Sequence, residues 1–247
     1  MKPHRLAAAC VFALLVAPTA HGDGALRWST TKVELLSGGG FELGSDRRHT
    51  LTLEHASGWR YGDNFVFLDT TRRDDVGVEA YGEWWTRLSL GRTTGAALAA
   101  GPLRDVLLVG GITAGSEPEG DAFKAFGLGV GFDLDIPHAR FLTLNVVAFK
   151  NEDVDSTGVQ VTPAWAVPFT IGTLHFEFRG FLDWVSRGGS GRRAYVHTQP
   201  QLLLDLGRLL GRPAALHAGI EYWYWHHKFG IAGVEEHAAQ AIVSYAF

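Results

Sequence analysis

The side chains able to recognise a small solute fall at alternate positions of several short segments. Phe65, Phe67 and Asp69 form one such row, and Glu79, Tyr81, Glu83 and Arg87 form another. Glu177, Arg179 and Asp183 repeat the pattern around Phe181, Glu221 and Trp223 continue it, and Glu54 stands on a further segment. Ring faces of this kind stack on flat solutes, carboxylates accept hydrogen bonds from hydroxyl or amino groups, and guanidinium groups donate them. The same charges also fit a second role. Paired with one another, they would hold the wall of a narrow barrel in shape whether or not a solute passes.

Three other constellations carry less. His226 and His227, with Glu235, Glu236 and His237, hold enough nitrogen and oxygen donors for a metal ion. Neighbouring residues on a strand point to opposite faces, however, so this group reads as a solvated loop without metal. Gly127-Leu128-Gly129-Val130-Gly131 has a glycine spacing superficially like that of a nucleotide-binding loop, but it lies mid-strand with no helix after it. Ser186 and Ser190 lie near Asp183 and Arg187 in sequence with no identifiable histidine partner, which leaves a hydrolase without its base. No cofactor is expected.

Rows with a period of two require strands to position them. Leu174, Phe176, Phe178, Leu182 and Trp184 fall opposite His175, Glu177, Arg179 and Asp183. Leu216, Ala218, Ile220, Tyr222 and Tyr224 fall opposite His217, Gly219, Glu221, Trp223 and Trp225, and Trp84, Leu88 and Leu90 face away from Glu79, Tyr81, Glu83 and Arg87. Phe126, Leu128, Val130 and Phe132 alternate with Gly127, Gly129, Gly131 and Asp133, small residues expected to leave space inside a barrel. One face of each strand suits lipid and the other water, although a soluble sandwich fits the same strings.

The turns favour the membrane. Arg72 to Asp75, Ser116 to Asp121, Asn151 to Thr157, Ser186 to Arg193 and His226 to Glu236 form one charged or polar set. Ser57 to Asp63, Ile136 to Ala139, Phe169 to Gly172 and Gly207 to Pro213 form the other. This alternation keeps phase along the chain, as long extracellular loops and short periplasmic turns do. Only the stretch from Gly91 to Pro102 is longer than its set predicts. Val66 and Leu68 also alternate, so the opposite parity at residues 64 to 69 stays open, but Asp69 favours the first, since its carboxylate would otherwise face hydrocarbon at high cost.

Both ends of the chain agree with export. Lys2, His4 and Arg5, the apolar run from Leu6 to Ala17, and the small residues around Ala20-His21-Gly22 predict a cleaved signal peptide over residues 1 to 22, with Cys10 removed in it. At the other end Ala241, Val243, Tyr245 and Phe247 share a face. A final aromatic strand of this form resembles the assembly signal of bacterial outer-membrane proteins, with Tyr245 and Phe247 its expected carriers. In bulk, the 247 residues carry a net charge of −4 with only 19% charged residues, which excludes the basic bias of a nucleic-acid binder.

Several stretches taken in order also resemble the Tsx-like family of nucleoside-specific channels. They are residues 53 to 65 (Leu-Glu-His-Ala-Ser-Gly-Trp-Arg-Tyr-Gly-Asp-Asn-Phe), Tyr81-Gly82-Glu83, Gln199-Pro200-Gln201, residues 219 to 225 (Gly-Ile-Glu-Tyr-Trp-Tyr-Trp) and Lys228-Phe229-Gly230-Ile231. The resemblance implies a monomeric twelve-stranded barrel passing nucleosides through a narrow lumen, in a family some of whose members also serve as phage or bacteriocin receptors.

The sequence therefore predicts an all-β chain whose residues 23 to 247 form a transmembrane antiparallel barrel of about twelve strands in the outer membrane of a Gram-negative bacterium. Its expected partners are outer-membrane lipid and lipopolysaccharide, the barrel assembly machinery, and nucleosides or similar small solutes. Its expected function is passive, selective diffusion, the alternatives being a surface receptor and, behind that, a barrel hydrolase.

Overall fold

The computed structural model describes residues 26–247 apart from 75, 117–121, 153, 155, 189 and 190. The expected signal segment and parts of four expected loops, Ser190 among them, therefore lie outside the described residues. The strands are β1 (Leu26–Gly39), β2 (Arg47–Trp59), β3 (Gly62–Arg73), β4 (Gly77–Ser89), β5 (Leu103–Ser116), β6 (Phe123–Leu134) and β7 (Phe141–Asn151). They continue as β8 (Gly158–Ile171), β9 (Leu174–Val185), β10 (Tyr195–Thr198), β11 (Gln201–Asp205), β12 (Leu216–His226) and β13 (Glu235–Ala246).

Every pairing is antiparallel, and β13 lies between β12 and β1, so the sheet closes on itself. Both β10 and β11 pair with β9 on one side and β12 on the other, which makes them halves of one stave and gives a closed barrel of 12 strands. The interruption falls at Gln199-Pro200 because proline has no N–H to give the ladder. Gly180 of β9 faces this break. A Cβ there would lie 2.8 Å from the Gln199 carbonyl oxygen and 2.9 Å from Pro200 Cα, so the close approach requires glycine.

Closure satisfies every strand edge, the condition for crossing hydrocarbon with strands. The outward face is apolar around the circumference: Leu35, Leu51, Trp84, Leu108, Leu128, Val159, Phe178, Leu202, Ile220 and Val243 are all exposed. A soluble protein does not leave an unbroken apolar belt in water, and a lipid-facing barrel requires one. At the chain end, Val243, Tyr245 and Phe247 lie on this outer face, and the Phe247 N–H donates to the Thr31 carbonyl at 3.0 Å.

The connections segregate by end, with two departures from the sequence reading. Residues 40–46 form a further loop at the end that carries 227–234, outside both sets of expected turns. At the opposite end, the long stretch after β4 is a folded cap. Helix α1 (Leu90–Thr94) starts on Ser89, whose Oγ accepts from Arg92 N at 3.0 Å and donates to Asp105 at 2.5 Å, and it ends on left-handed Gly95. Likewise, α2 (Leu206–Leu209) follows β11, capped by the Asp205 carboxylate, which accepts from the N–H groups of Arg208 at 2.8 Å and Ala214 at 3.0 Å. Burial disfavours the Asp205 charge, but these backbone donors outweigh it and hold the carboxyl below its ordinary range.

Candidate functional site

Cross-strand register fixes which side chains enter the lumen. Thr52, Asp69 and Tyr81 stand in one row across β2, β3 and β4; Glu54, Phe67 and Glu83 form the next, and Phe65 pairs with Trp85 in the one after. Phe65, Phe67 and Asp69 thus point inward, while Val66 pairs with Trp84 on the outer face. Glu79 and Arg87 continue the inward face of β4, Glu177, Arg179, Phe181 and Asp183 line β9, and Glu221 and Trp223 line β12.

These inward residues divide into two kinds. One kind is engaged in ion pairs that brace the wall: Glu54 with Lys32, Glu79 with Arg73, and Glu177 with Arg140 at 2.7 Å. Arg87 grips Asp63 with two nitrogens, at 2.8 and 2.9 Å, and Asp133 with a third at 2.9 Å. Arg179 joins Glu34 and donates to Gln201 at 2.6 Å, so both arginines are fully engaged as clamps.

The other kind has no cationic partner among the described residues. Asp69 accepts from Thr52 at 2.5 Å, and Glu221 accepts from the amides of Gln201 at 2.7 Å and Gln240 at 2.9 Å. Glu83 is held by the Tyr81 hydroxyl and by Trp85 Nε1 at 2.6 Å, and Asp183 by Thr162 and by Gln160 at 3.0 Å. These carboxyl groups, half-buried or buried, are satisfied only by neutral donors, so the lumen presents hydrogen-bonding carboxyls that are not tied up in ion pairs.

Two aromatic strips accompany them. On one wall Phe65, Phe67, Tyr81 and Phe123 follow one another at centroid spacings of 6.0, 5.7 and 6.2 Å. On the other, Phe181 meets His197 at 5.4 Å, His197 stacks on Trp225 at 4.0 Å and lies 4.9 Å from Trp223, and Tyr195 meets Trp225 at 5.5 Å.

Trp85, Phe123, Tyr195 and His197 were not singled out from the sequence. Alternation within β4 already implied that Trp85 enters if Trp84 faces lipid. β10, at four residues, is too short to show a period.

Trp85 also corrects the expectation that the inward glycines leave space. A Cβ at Gly111 would lie 2.1 Å from its ring and one at Gly127 2.6 Å, so the indole occupies the room those glycines release. Gly131 similarly makes room for Asn145 and Val109. Leu107 and Val109 are fully buried beside them, and Leu36, Leu203 and Ile242 form a second apolar cluster inside the barrel. The lumen is narrow and well filled.

At the loop end, Lys228 closes over the second aromatic strip. It lies in the 3-10 turn Lys228–Gly230, is 3% exposed, and donates to Glu236 at 2.5 Å. Its ammonium stands 5.7 Å from the Trp223 and Trp225 rings and 5.3 Å from Phe229, within cation–π reach. Glu236 also accepts from Trp223 Nε1 at 2.7 Å and from the N–H groups of Glu42 at 3.1 Å and Leu43 at 3.3 Å, which ties loop 40–46 to loop 227–234. Burial pushes the Lys228 ammonium down to about 8, against the opposing pull of Glu236. His227 and Phe229, on either side, have left-handed backbones at φ 52° and 56°, conformations that cost a non-glycine residue free energy.

No protein-family model matches the chain, and no curated protein matches it in sequence. Among solved structures it is similar to the NanC porin, with a TM-score of 0.55 and 10% identity over 87% of this chain and 98% of that one. It is also similar to the KdgM porin in complex with disordered oligogalacturonate, with a TM-score of 0.51 and 8% identity over 88% and 99%. The likeness is one of fold: the protein has the closed barrel of outer-membrane porins.

Proposed function

We propose that the protein is a passive, solute-selective channel of a Gram-negative outer membrane, and that its cargo is nucleosides or similar small aromatic solutes. The observation that carries this reading is the pair of aromatic strips inside the barrel with Asp69, Glu83, Asp183 and Glu221 among them. A flat base stacks on the rings, and its ribose hydroxyls and amino groups donate to the carboxylates. The resemblance to Tsx-like channels supports the same cargo. The porin fold supports the location, and with it contacts to lipid and lipopolysaccharide and assembly by the barrel machinery.

Charge separates this cargo from the oligogalacturonate bound by the KdgM porin. Arg87 and Arg179, whose guanidinium groups line this lumen, are already clamped to wall carboxylates, so neither is free to receive the carboxylates of an acidic sugar chain. The resemblance to Tsx-like channels supports a monomer, and closure of the wall leaves no strand edge through which a second copy could add. Ser186, the one hydrolase candidate among the described residues, accepts from Val159 N at 2.8 Å in a structural role, which supports a non-enzymatic barrel.

Liposome swelling tests the proposal. Vesicles carrying the protein should swell faster in adenosine or thymidine than in ribose, and slowest in galacturonate oligomers. Equal rates for adenosine and ribose would remove the aromatic selectivity, and no swelling with any solute would leave the surface-receptor reading in its place.

A further inference from the structure

The sequence separates His226 from His227 by strand parity, but the structure brings them together. β12 ends at His226, and the left-handed backbone of His227, φ 52° and ψ 55°, turns the chain so that the second ring folds back on the first. The two imidazoles stack at 3.9 Å with planes 26° apart. Glu235, the first residue of β13 and the cross-strand partner of His226, presents its carboxylate to both. His226 Nδ1 lies 2.8 Å from one carboxylate oxygen and 2.9 Å from the other, and His227 Nδ1 lies 3.4 Å from the first. The ligand atoms of the three residues all fall within 4.8 Å of one another.

We propose that His226, His227 and Glu235 form a binding site for a single divalent transition-metal ion of the zinc class, on the outer rim of the barrel at its loop end. Zinc bonded at about 2.0–2.1 Å in a tetrahedron needs neighbouring ligand atoms about 3.3 Å apart, the range these pairs already span. The Gly233 N–H donates to His227 Nδ1 at 3.2 Å, a bond that an ion held at that nitrogen would replace. Two imidazoles and one carboxylate suit zinc, copper or nickel and leave a position for water, whereas calcium demands six or more oxygens. The three side chains are 45%, 26% and 37% exposed, so an ion reaches them without unfolding the loop.

Nearby donors are committed elsewhere. His237 Nδ1 is bonded to the Tyr222 hydroxyl at 2.7 Å, and Glu236 faces the lumen and Lys228. Because His227 directly precedes Lys228, an ion here would clamp the loop that seats Lys228 over the aromatic strip.

The site does not rest on the channel reading, and its test needs no conductance. Untagged full-length barrel in detergent is titrated calorimetrically with zinc chloride, with calcium chloride as the hard-ion control. One zinc per chain is expected, with no calcium heat. His226→Gln and His227→Gln should each weaken zinc binding at least tenfold while heat-modifiable gel mobility confirms that the barrel still forms. Cupric ion bound to the wild type should show electron paramagnetic resonance splitting from two nitrogens, reduced to one in either variant. Absence of stoichiometric zinc binding, equal affinity in wild type and both variants, or a copper spectrum without nitrogen splitting would each overturn the proposal.

Discussion

Gly111→Ala is a direct test of where Trp85 sits. The added Cβ would lie 2.1, 2.3 and 2.6 Å from three indole carbons, whereas real Cβ contacts essentially never fall below 3.0 Å. The ring must therefore retreat by about 1 Å, and it has little freedom to do so. It already lies against Gly127, where a Cβ would be only 2.6 Å away, and its N–H is tied to Glu83 at 2.6 Å. Overpacking of this kind costs about 1–3 kcal/mol. If the bond to Glu83 breaks as well, a hydrogen bond to a charged group adds about 1.5–3 kcal/mol. Because the two effects share one displacement, we expect about 2–4 kcal/mol in all.

The assay is reversible denaturant unfolding in lipid vesicles, followed by gel mobility. On a Trp85→Leu background, Gly111→Ala should cost less than about 1 kcal/mol, giving a coupling near 2 kcal/mol between sites in contact. Additivity of the two substitutions within about 0.5 kcal/mol would refute the placement of Trp85 inside the lumen.

Further perturbations address the proposed passage and its mouth. A stacked base contributes about 1–3 kcal/mol, so Phe67→Ala should weaken nucleoside block of ion current about tenfold while conductance survives. Val66→Ala, on the lipid face, should leave block unchanged, and equal sensitivity at the two positions would remove the assignment. Raising the pH from 7 to 9 discharges Lys228, whose surroundings include Glu236, Arg48, Arg73 and His197, and ends its charge-assisted bond to Glu236. Its folded value lies below the unfolded one, so proton loss relieves a buried charge and the barrel as a whole gains stability across that window. Channel closures should nevertheless become briefer in the wild type and stay pH-independent in Lys228→Ala, as single-channel dwell times would record. Deleting Phe247 should lower assembly into the membrane without lowering export, and wild-type yield of the truncated barrel in membrane fractions would contradict that role.

The strands were legible because a barrel wall between lipid and a polar interior imposes a strict period of two, and long runs such as Leu174 to Trp184 display it without interruption. Asp69 favoured one orientation of β3, since a carboxylate in hydrocarbon is far costlier than a phenylalanine in a lumen, but Val66 and Leu68 alternate equally well and only the register with β2 and β4 fixes it. Pairing partners were less accessible. Arg179 meets Glu34 across 145 residues of sequence, at the place where barrel closure brings β9 near β1 through β11, β12 and β13. Alternation leaves Arg87 and Arg179 either as solute donors or as partners of wall carboxylates; closure supplies those partners.

Filling of the lumen was illegible for a related reason. Which glycine a tryptophan covers depends on the stagger between strands, and nothing in the β4 segment says that Trp85 reaches across β5 to Gly127. Backbone turns at strand ends were equally hidden. Strand parity separates His226 from His227 only while the strand continues, and the left-handed conformation of His227 ends it.

Single-channel recording of the wild-type protein in a planar lipid bilayer tests the central claim most directly. Stepwise ion currents should appear, and adenosine should reduce them in a concentration-dependent way while ribose at the same concentrations leaves them unchanged, because solute and ions share one aromatic-lined passage. Protein shown by gel mobility to be a folded barrel, yet passing no current, would contradict the account.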